Sequence, residues 1–303
     1  MLRSAVGIDL GGTNVRVALV ESDGAVRDNL VEVVDWSPTQ DGQFGQLTRA
    51  VTQLLGRWPH VSITGIGVAA TGPADTLTGV IDNPFTLPPT MRGNVVDVLE
   101  RAFGQPVVLE NDADAAALGE ATFGAAVGAS SVACITVGTG VGVGVVTGGE
   151  IYRGPRGSHP EVGHHVVDPA GPLCYCGAYG CLESLASASA ILAAGVTQGV
   201  VTTVASAHDV HLLAEAGNRQ AQDIVATAAA ALATGIWNVV AFHSSDVVVL
   251  AGQAAPASES FLLDVNRRLA AFPFRPPGGV RVVPARLAGL SGCVGAASLL
   301  LRA

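Results

Sequence analysis

The 303-residue sequence predicts an α/β protein made of two related lobes, and three stretches carry that prediction. The first is "VGIDLGGTNVRVALV" at 6–20, where a β-branched run enters a Gly-Gly turn and leaves as a second β-branched run. That pattern reads as a β-hairpin. The second is "VACITVGTGVGVGVV" at 132–146, which repeats the design around a Gly-Thr-Gly turn. The third is "DVVVLAGQAA" at 246–255, a buried strand that ends in Gly252.

Glycine turns let a backbone approach a ligand closely, and their successive N–H groups form concavities suited to anions. The first turn is neither a Walker loop nor a dinucleotide fingerprint, because no Gly-Lys-Ser/Thr ending follows and the next element is a strand. Asp9 and Thr13 flank its glycines, which favours a role with phosphate and magnesium over a plain hairpin. Two such turns suggest two lobes facing one nucleotide. All sixteen basic residues are arginines, so backbone amides, arginine or a metal ion must hold any phosphate.

Between the hairpins, "PVVLENDADAAALGEATFG" reads as a strand followed by an alanine-rich helix, with Asn111-Asp112 at the junction. Asp112 there is either an N-cap or a general base, and the pattern alone leaves both open. Residues 185–240 are Ala-rich and helical in period. "FPFRPPGGV" at 272–280 reads as a turn-rich linker before a last strand and a C-terminal helix.

Composition narrows the function classes. Charged residues make up only 14% against 49% hydrophobic, which argues for packed interior rather than disorder. The net charge of −9 and the lack of a basic run argue against nucleic acid. No apolar run of the length of a membrane span is free of Gly, Pro or polar breaks. The N-terminus shows no secretory signal, so the chain reads as cytoplasmic, with reduced thiols.

"GHHVVDPAGPLCYCGAYGCLES" at 163–184 gathers two histidines and three of the five cysteines. A disulfide, a structural metal and a catalytic metal are the three readings. His164, Cys174, Cys176 and Cys181 make a closed set of three thiolates and one imidazole, which suits structural zinc and leaves no position open for water. His165 is expected to point away. Cys134 and Cys293 read as ordinary buried thiols. A zinc-bound imidazole needs a partner on its second nitrogen, and a sugar hydroxyl is the expected one.

The stretches "GIDLGGTN", "ENDADAAALGE", "GTGVGVGVV", "EVGH" and "CYCGAYGCLES", in this order, resemble the ROK family of sugar kinases and transcriptional repressors. The resemblance implies two ribonuclease H-like lobes with an inter-lobe cleft, the actin-like ATPase and sugar kinase fold. It divides the chain into a smaller lobe at 1–111 and a larger one at 112–287, with the helix at 288–303 packing back on the first. Repressor members carry a DNA-binding segment ahead of the phosphate motif. Here that motif begins at Asp9, so the resemblance implies a kinase that moves a phosphoryl group from ATP to the 6-hydroxyl of a hexose.

By the same resemblance Asp112 is the catalytic base. Asn111, Glu161, His164 and Glu183 bind the sugar, together with Asp112. Asp9, Gly11, Gly12 and Thr13 form the first phosphate motif and Gly138, Thr139 and Gly140 the second, with Gly252 at the nucleotide's other end. ATP, Mg2+ and a structural Zn2+ are the implied cofactors, and a homodimer the implied assembly. Several residues depart from the family pattern: Thr71 in "AAT", His159-Pro160 ahead of Glu161, Asp114 for an Asn, Val143 for a Gly, and Gln253 in "AGQ". Thr71 and His159 border the expected sugar pocket, which points toward an amino-substituted glucose such as kanosamine as well as glucose. An N-acetylmannosamine-type kinase and a non-catalytic sugar sensor are the alternatives. The sensor would be expected to lose Asp9 or Asp112, and both are present.

Overall fold

The computed structural model describes residues 2–37, 41–252, 259–273 and 279–302. Gln253 and residues 274–278 of the expected linker lie outside these. The chain forms two compact units, Met1–Gly128 with Gly144–Pro160 and Ala285–Ala303, and Ala129–Val143 with Glu161–Pro284.

The first unit opens with the expected hairpin, β1 (Ser4–Leu10) and β2 (Asn14–Glu21), paired antiparallel with Leu10 opposite Val15. β3 (Val26–Val33) extends it, α1 (Gly45–Gly56) follows, and β4 (Ile63–Ala70) returns parallel to β1. Three short strands, β5 (Ala74–Asp75), β6 (Val80–Ile81) and β7 (Gly93–Asn94), form a small antiparallel sheet. After α2 (Val95–Phe103), β8 (Val107–Asn111) completes the main sheet in the order β3-β2-β1-β4-β8. α3 (Asp112–Thr122) leaves directly from β8.

The chain then enters the second unit with β9 (Ser131–Val137) and begins β10 (Val141–Thr147), whose end belongs to the first unit and pairs there with β11 (Glu150–Ile151). The second unit resumes after Pro160. It holds a loop at 161–181, then α4 (Leu182–Ala186), α5 (Ala188–Thr197), α6 (Ala207–Glu215) and α7 (Arg219–His243). β12 (Val247–Ala251) lies parallel to β9, and β13 (Arg281–Pro284) parallel to β12, with α8 (Glu259–Ala270) between them in sequence. Both units therefore pair parallel strands with the first strand of a glycine-turned hairpin. α7 has the length and apolar composition of a membrane span, yet 56% of its apolar window is buried, and it packs on α4, α6 and α8.

The last helix, α9 (Ser291–Leu301), closes the first unit against β1, β4 and α3. Its approach leaves no room for a side chain at several glycines, and two of them make the tightest fits. A Cβ on Gly7 would lie 1.9 Å from the Cys293 carbonyl oxygen, and one on Gly295 would lie 1.7 Å from that of Ala115. Cys293 and, in the second unit, Cys134 are fully buried thiols. The same close packing keeps α3 with this unit. Residues 112–128, 144–160 and 285–287, which the sequence reading put with the second lobe, belong to the first unit.

Candidate active site

The N-terminus of α3 separates two jobs that the sequence left on one residue. Asn111 is the N-cap: its Oδ1 accepts the N–H groups of Ala113 at 2.9 Å and Asp114 at 3.2 Å. Asp112 therefore occupies the first helical position as a half-buried carboxylate, with Oδ1 accepting from Ala113 N–H at 2.9 Å. Capping prefers a short side chain in extended backbone, which Asn111 supplies at φ −66°, ψ 144°.

Asp9 ends β1 opposite Arg16, whose guanidinium lies 3.4 Å away, and the Asp9 side chain keeps 17% of its exposure. Burial first, and then the Asp112 carboxylate, push the Asp9 carboxyl up to about 6 against the pull of Arg16. The two carboxylates thus repel each other, with Arg16 as the cation beside Asp9. Gly11 N–H closes the turn onto the Asn14 carbonyl at 3.0 Å, and Thr13 is exposed.

In the second unit, Glu183 near the start of α4 meets the other glycine turn. Its Oε2 accepts the Val141 N–H at 2.8 Å, and a Cβ on Gly140 would sit 2.4 Å from the same oxygen. Gly138 closes the turn by donating to the Gly140 carbonyl at 2.9 Å, and Thr139 is exposed. Gly252 follows β12 with φ +91°, and a Cβ on it would lie 2.3 Å from the Val137 carbonyl oxygen. Glu161 precedes a short 3-10 turn at Val162–His164, makes no side-chain capping bond to it, and is exposed. Gly163 in that turn presses on β10, where a Cβ would be 2.1 Å from the Val141 carbonyl oxygen.

That turn delivers His164 to the cysteine loop. The ligand atoms of His164, Cys174, Cys176 and Cys181 all lie within 4.8 Å of one another. His164 Nδ1 is 3.5 Å from the Cys174 sulfur, and the Cys176 and Cys181 sulfurs are 3.6 Å apart. Tetrahedral zinc with bonds of about 2.0–2.3 Å needs donors about 3.5–3.8 Å apart; these two separations match it, and the donor set suits the ion. Burial, and then the neighbouring sulfurs, push the Cys181 thiol up to about 12, a cost that a bound cation removes. His165 is exposed and outside the cluster.

One neighbour of this loop had no signal in the sequence. The Tyr175 hydroxyl lies 3.1 Å from His164 Nε2, with the two rings edge to face at 5.1 Å. The second imidazole nitrogen, expected to meet a sugar hydroxyl, meets a phenol here.

A model of the ROK family matches residues 5–303. The chain belongs to the ROK family. This ROK protein is 31% identical to a glucokinase from Thermotoga maritima over 97% of its own length and 96% of the relative's. It is 34% identical to an N-acetylmannosamine kinase from Escherichia coli over 89% of each chain. Among solved structures, a ROK family glucokinase from Streptomyces griseus in complex with glucose and AMPPNP superposes with a TM-score of 0.81. It is 28% identical and covers 99% of this chain and 100% of that one. The ROK protein accordingly has the α/β architecture of the actin-like ATPases and sugar kinases.

Proposed function

We propose that this ROK protein transfers a phosphoryl group from ATP to the 6-hydroxyl of a hexose, glucose or an amino-substituted glucose such as kanosamine. The observation that carries the reading is the division of labour at α3, where Asn111 takes the cap and leaves Asp112 for chemistry. Asp112 accepts the proton of the attacking hydroxyl. Asn111, Glu161 and Glu183 orient the sugar, and His164 joins them where a sugar hydroxyl takes the place of the Tyr175 phenol at Nε2. The turns at Gly11–Thr13 and Gly138–Gly140, with Gly252, bind the nucleotide through backbone N–H groups. Asp9, whose carboxyl burial and Asp112 push up despite Arg16, is the residue offered to the magnesium of bound ATP, which neutralises developing phosphate charge. Zinc on His164, Cys174, Cys176 and Cys181 holds the loop that carries the sugar-binding residues. The reading extends to a cytoplasmic homodimer, which sedimentation of the purified protein tests.

The surroundings of Asn111 favour an altered glucose. A Cβ on Gly72, the residue after Thr71, would find His159 Nε2 at 3.6 Å and Asn111 Nδ2 at 3.7 Å, so a polar imidazole stands beside the proposed sugar ligand. N-acetylmannosamine, the substrate in the name of the Escherichia coli relative, is the alternative. ADP release should be measured with glucose, kanosamine and N-acetylmannosamine side by side. Asp112→Asn should lower kcat by ~10²–10⁴ while sugar KM stays within a few-fold. Retention of more than about a tenth of wild-type kcat would remove Asp112 from the chemistry. A wild-type protein that releases ADP with none of the sugars would be the non-catalytic sensor instead.

A further inference from the structure

The cap at Asn111 fixes more than the helix. Because Oδ1 takes the Ala113 and Asp114 N–H groups, the other end of the amide, Nδ2, must face the His159 ring, 3.3 Å from Nε2. Nδ2 only donates. His159 Nε2 must therefore be the acceptor, which makes the imidazole neutral and leaves its proton on Nδ1.

Behind this contact lies Asp114, 1% exposed, whose two carboxylate oxygens accept no hydrogen bond among the described residues. The charged groups around it are Glu110 on β8, Asp112 on α3, and His159 and Arg153 on the segment after β11. Glu110 is itself spent: it accepts the Asn111 N–H at 2.9 Å and pairs with Arg153. Burial first, and then the Glu110 carboxylate, push the Asp114 carboxyl up to about 7, with His159 and Arg153 pulling the other way.

We propose that His159 is a positioning residue that holds Asn111 for the sugar only as the neutral Nδ1–H imidazole, and that Asp114 governs when this form is lost. A proton added at Nε2 would set N–H against N–H, open the contact and free the amide to turn. Ionised Asp114 favours that imidazolium, and the protonated acid does not. The second hydrogen on Asn111 Nδ2 stays available to a sugar hydroxyl. The inference rests on the hexose kinase reading for Asn111, and one of its tests does not depend on turnover.

That test is the ¹⁵N spectrum of the imidazoles at pH 8, with His159 assigned by its absence in His159→Gln. The expected signature is a protonated Nδ1 and a bare Nε2; a proton on Nε2 overturns the proposal whether or not any sugar is phosphorylated. In kinetics, wild-type sugar KM should rise at least fivefold from pH 8 to pH 6. His159→Ala should raise sugar KM about tenfold at pH 8, with kcat and ATP KM within threefold. His159→Gln, whose carbonyl accepts from Asn111 without titrating, should restore the low KM and flatten its pH dependence. Asp114→Asn should move the acid limb down by half a pH unit or more. A His159→Ala sugar KM within twofold of wild type, or an unchanged limb in His159→Gln, overturns the proposal. If no hexose is turned over, the kinase reading falls and the spectrum still decides this one.

Discussion

Two buried carboxylates on α3 meet opposite fates. Glu120 is fully buried and accepts four hydrogen bonds: Ala125 N–H at 2.8 Å, Arg286 and Leu287 N–H at 3.1 Å each, and the Ser291 hydroxyl at 2.7 Å. Asp114, 1% exposed, has none among the described residues. The difference is a matter of supply. At the head of the helix Asn111 has already taken the nearby N–H groups, Asp114's own included. At the tail, the chain entering α9 brings fresh donors. A carboxylate saturated by backbone donors fastens one segment to another, whereas one left without donors keeps its proton and stays responsive to its neighbours.

The cysteine loop extends the comparison to thiols gathered around one point, and it should show the largest effect. Wild-type protein should carry one zinc per chain, and Cys181→Ser should carry none. Its sugar KM should rise by tenfold or more while ATP KM changes far less, because loop order depends on the ion. Wild-type protein purified under reducing conditions without zinc would remove the structural metal altogether.

Next comes the saturated carboxylate. Glu120→Ala strands four donors, two of them backbone amides of the segment leading into α9, and should cost ~3–5 kcal/mol in urea unfolding. A loss below about 1 kcal/mol would mean that water or other acceptors replace it readily.

The smallest effect falls on the carboxylate without donors. In the folded chain Asp114 holds its proton to about pH 7, against 3.8 when unfolded. Folding therefore favours the protonated acid. The stability it contributes is complete below the unfolded value and is lost as pH rises through 7. The amide that Asp114→Asn introduces does not titrate, so the variant should gain on wild type between pH 4 and pH 7 and keep a steady advantage of ~1–3 kcal/mol above pH 8. A difference that does not vary with pH would place the Asp114 carboxyl in its ordinary range.

Local pattern made both hairpins and the gathering of His164 with three cysteines readable. Strand periodicity brackets each glycine turn, and the thiols lie close together along one loop. The junction at Asn111-Asp112 was legible, but the separation of Asp112 from capping depended on which of two adjacent side chains points back at the helix, and both residue types cap well. Tyr175 gave no sign of meeting His164, because an aromatic on a loop is equally suited to many neighbours. The Glu120 clamp joins residues 166 and 167 positions apart, and Glu183 reaches Val141 across 42, distances over which no periodicity reports. The placement of α3 and residues 144–160 with the first unit has the same origin, since it follows from glycines fitted against a helix near the other end of the chain.

The fit of α9 against β1, β4 and α3 also imposes a timetable on the cell. A ribosome making this protein releases the β1–β4 face early, yet the helix that covers it follows α3 by about 170 residues, a delay of roughly 10–30 s at ordinary elongation rates. During that interval the glycine-floored groove has nothing in it, and the second unit has its whole sheet before the first is closed. The part synthesised first is completed last. Nascent chains stalled before Ser291 should therefore bind folding helpers and be cut by proteases within the first 128 residues, while full-length chains resist.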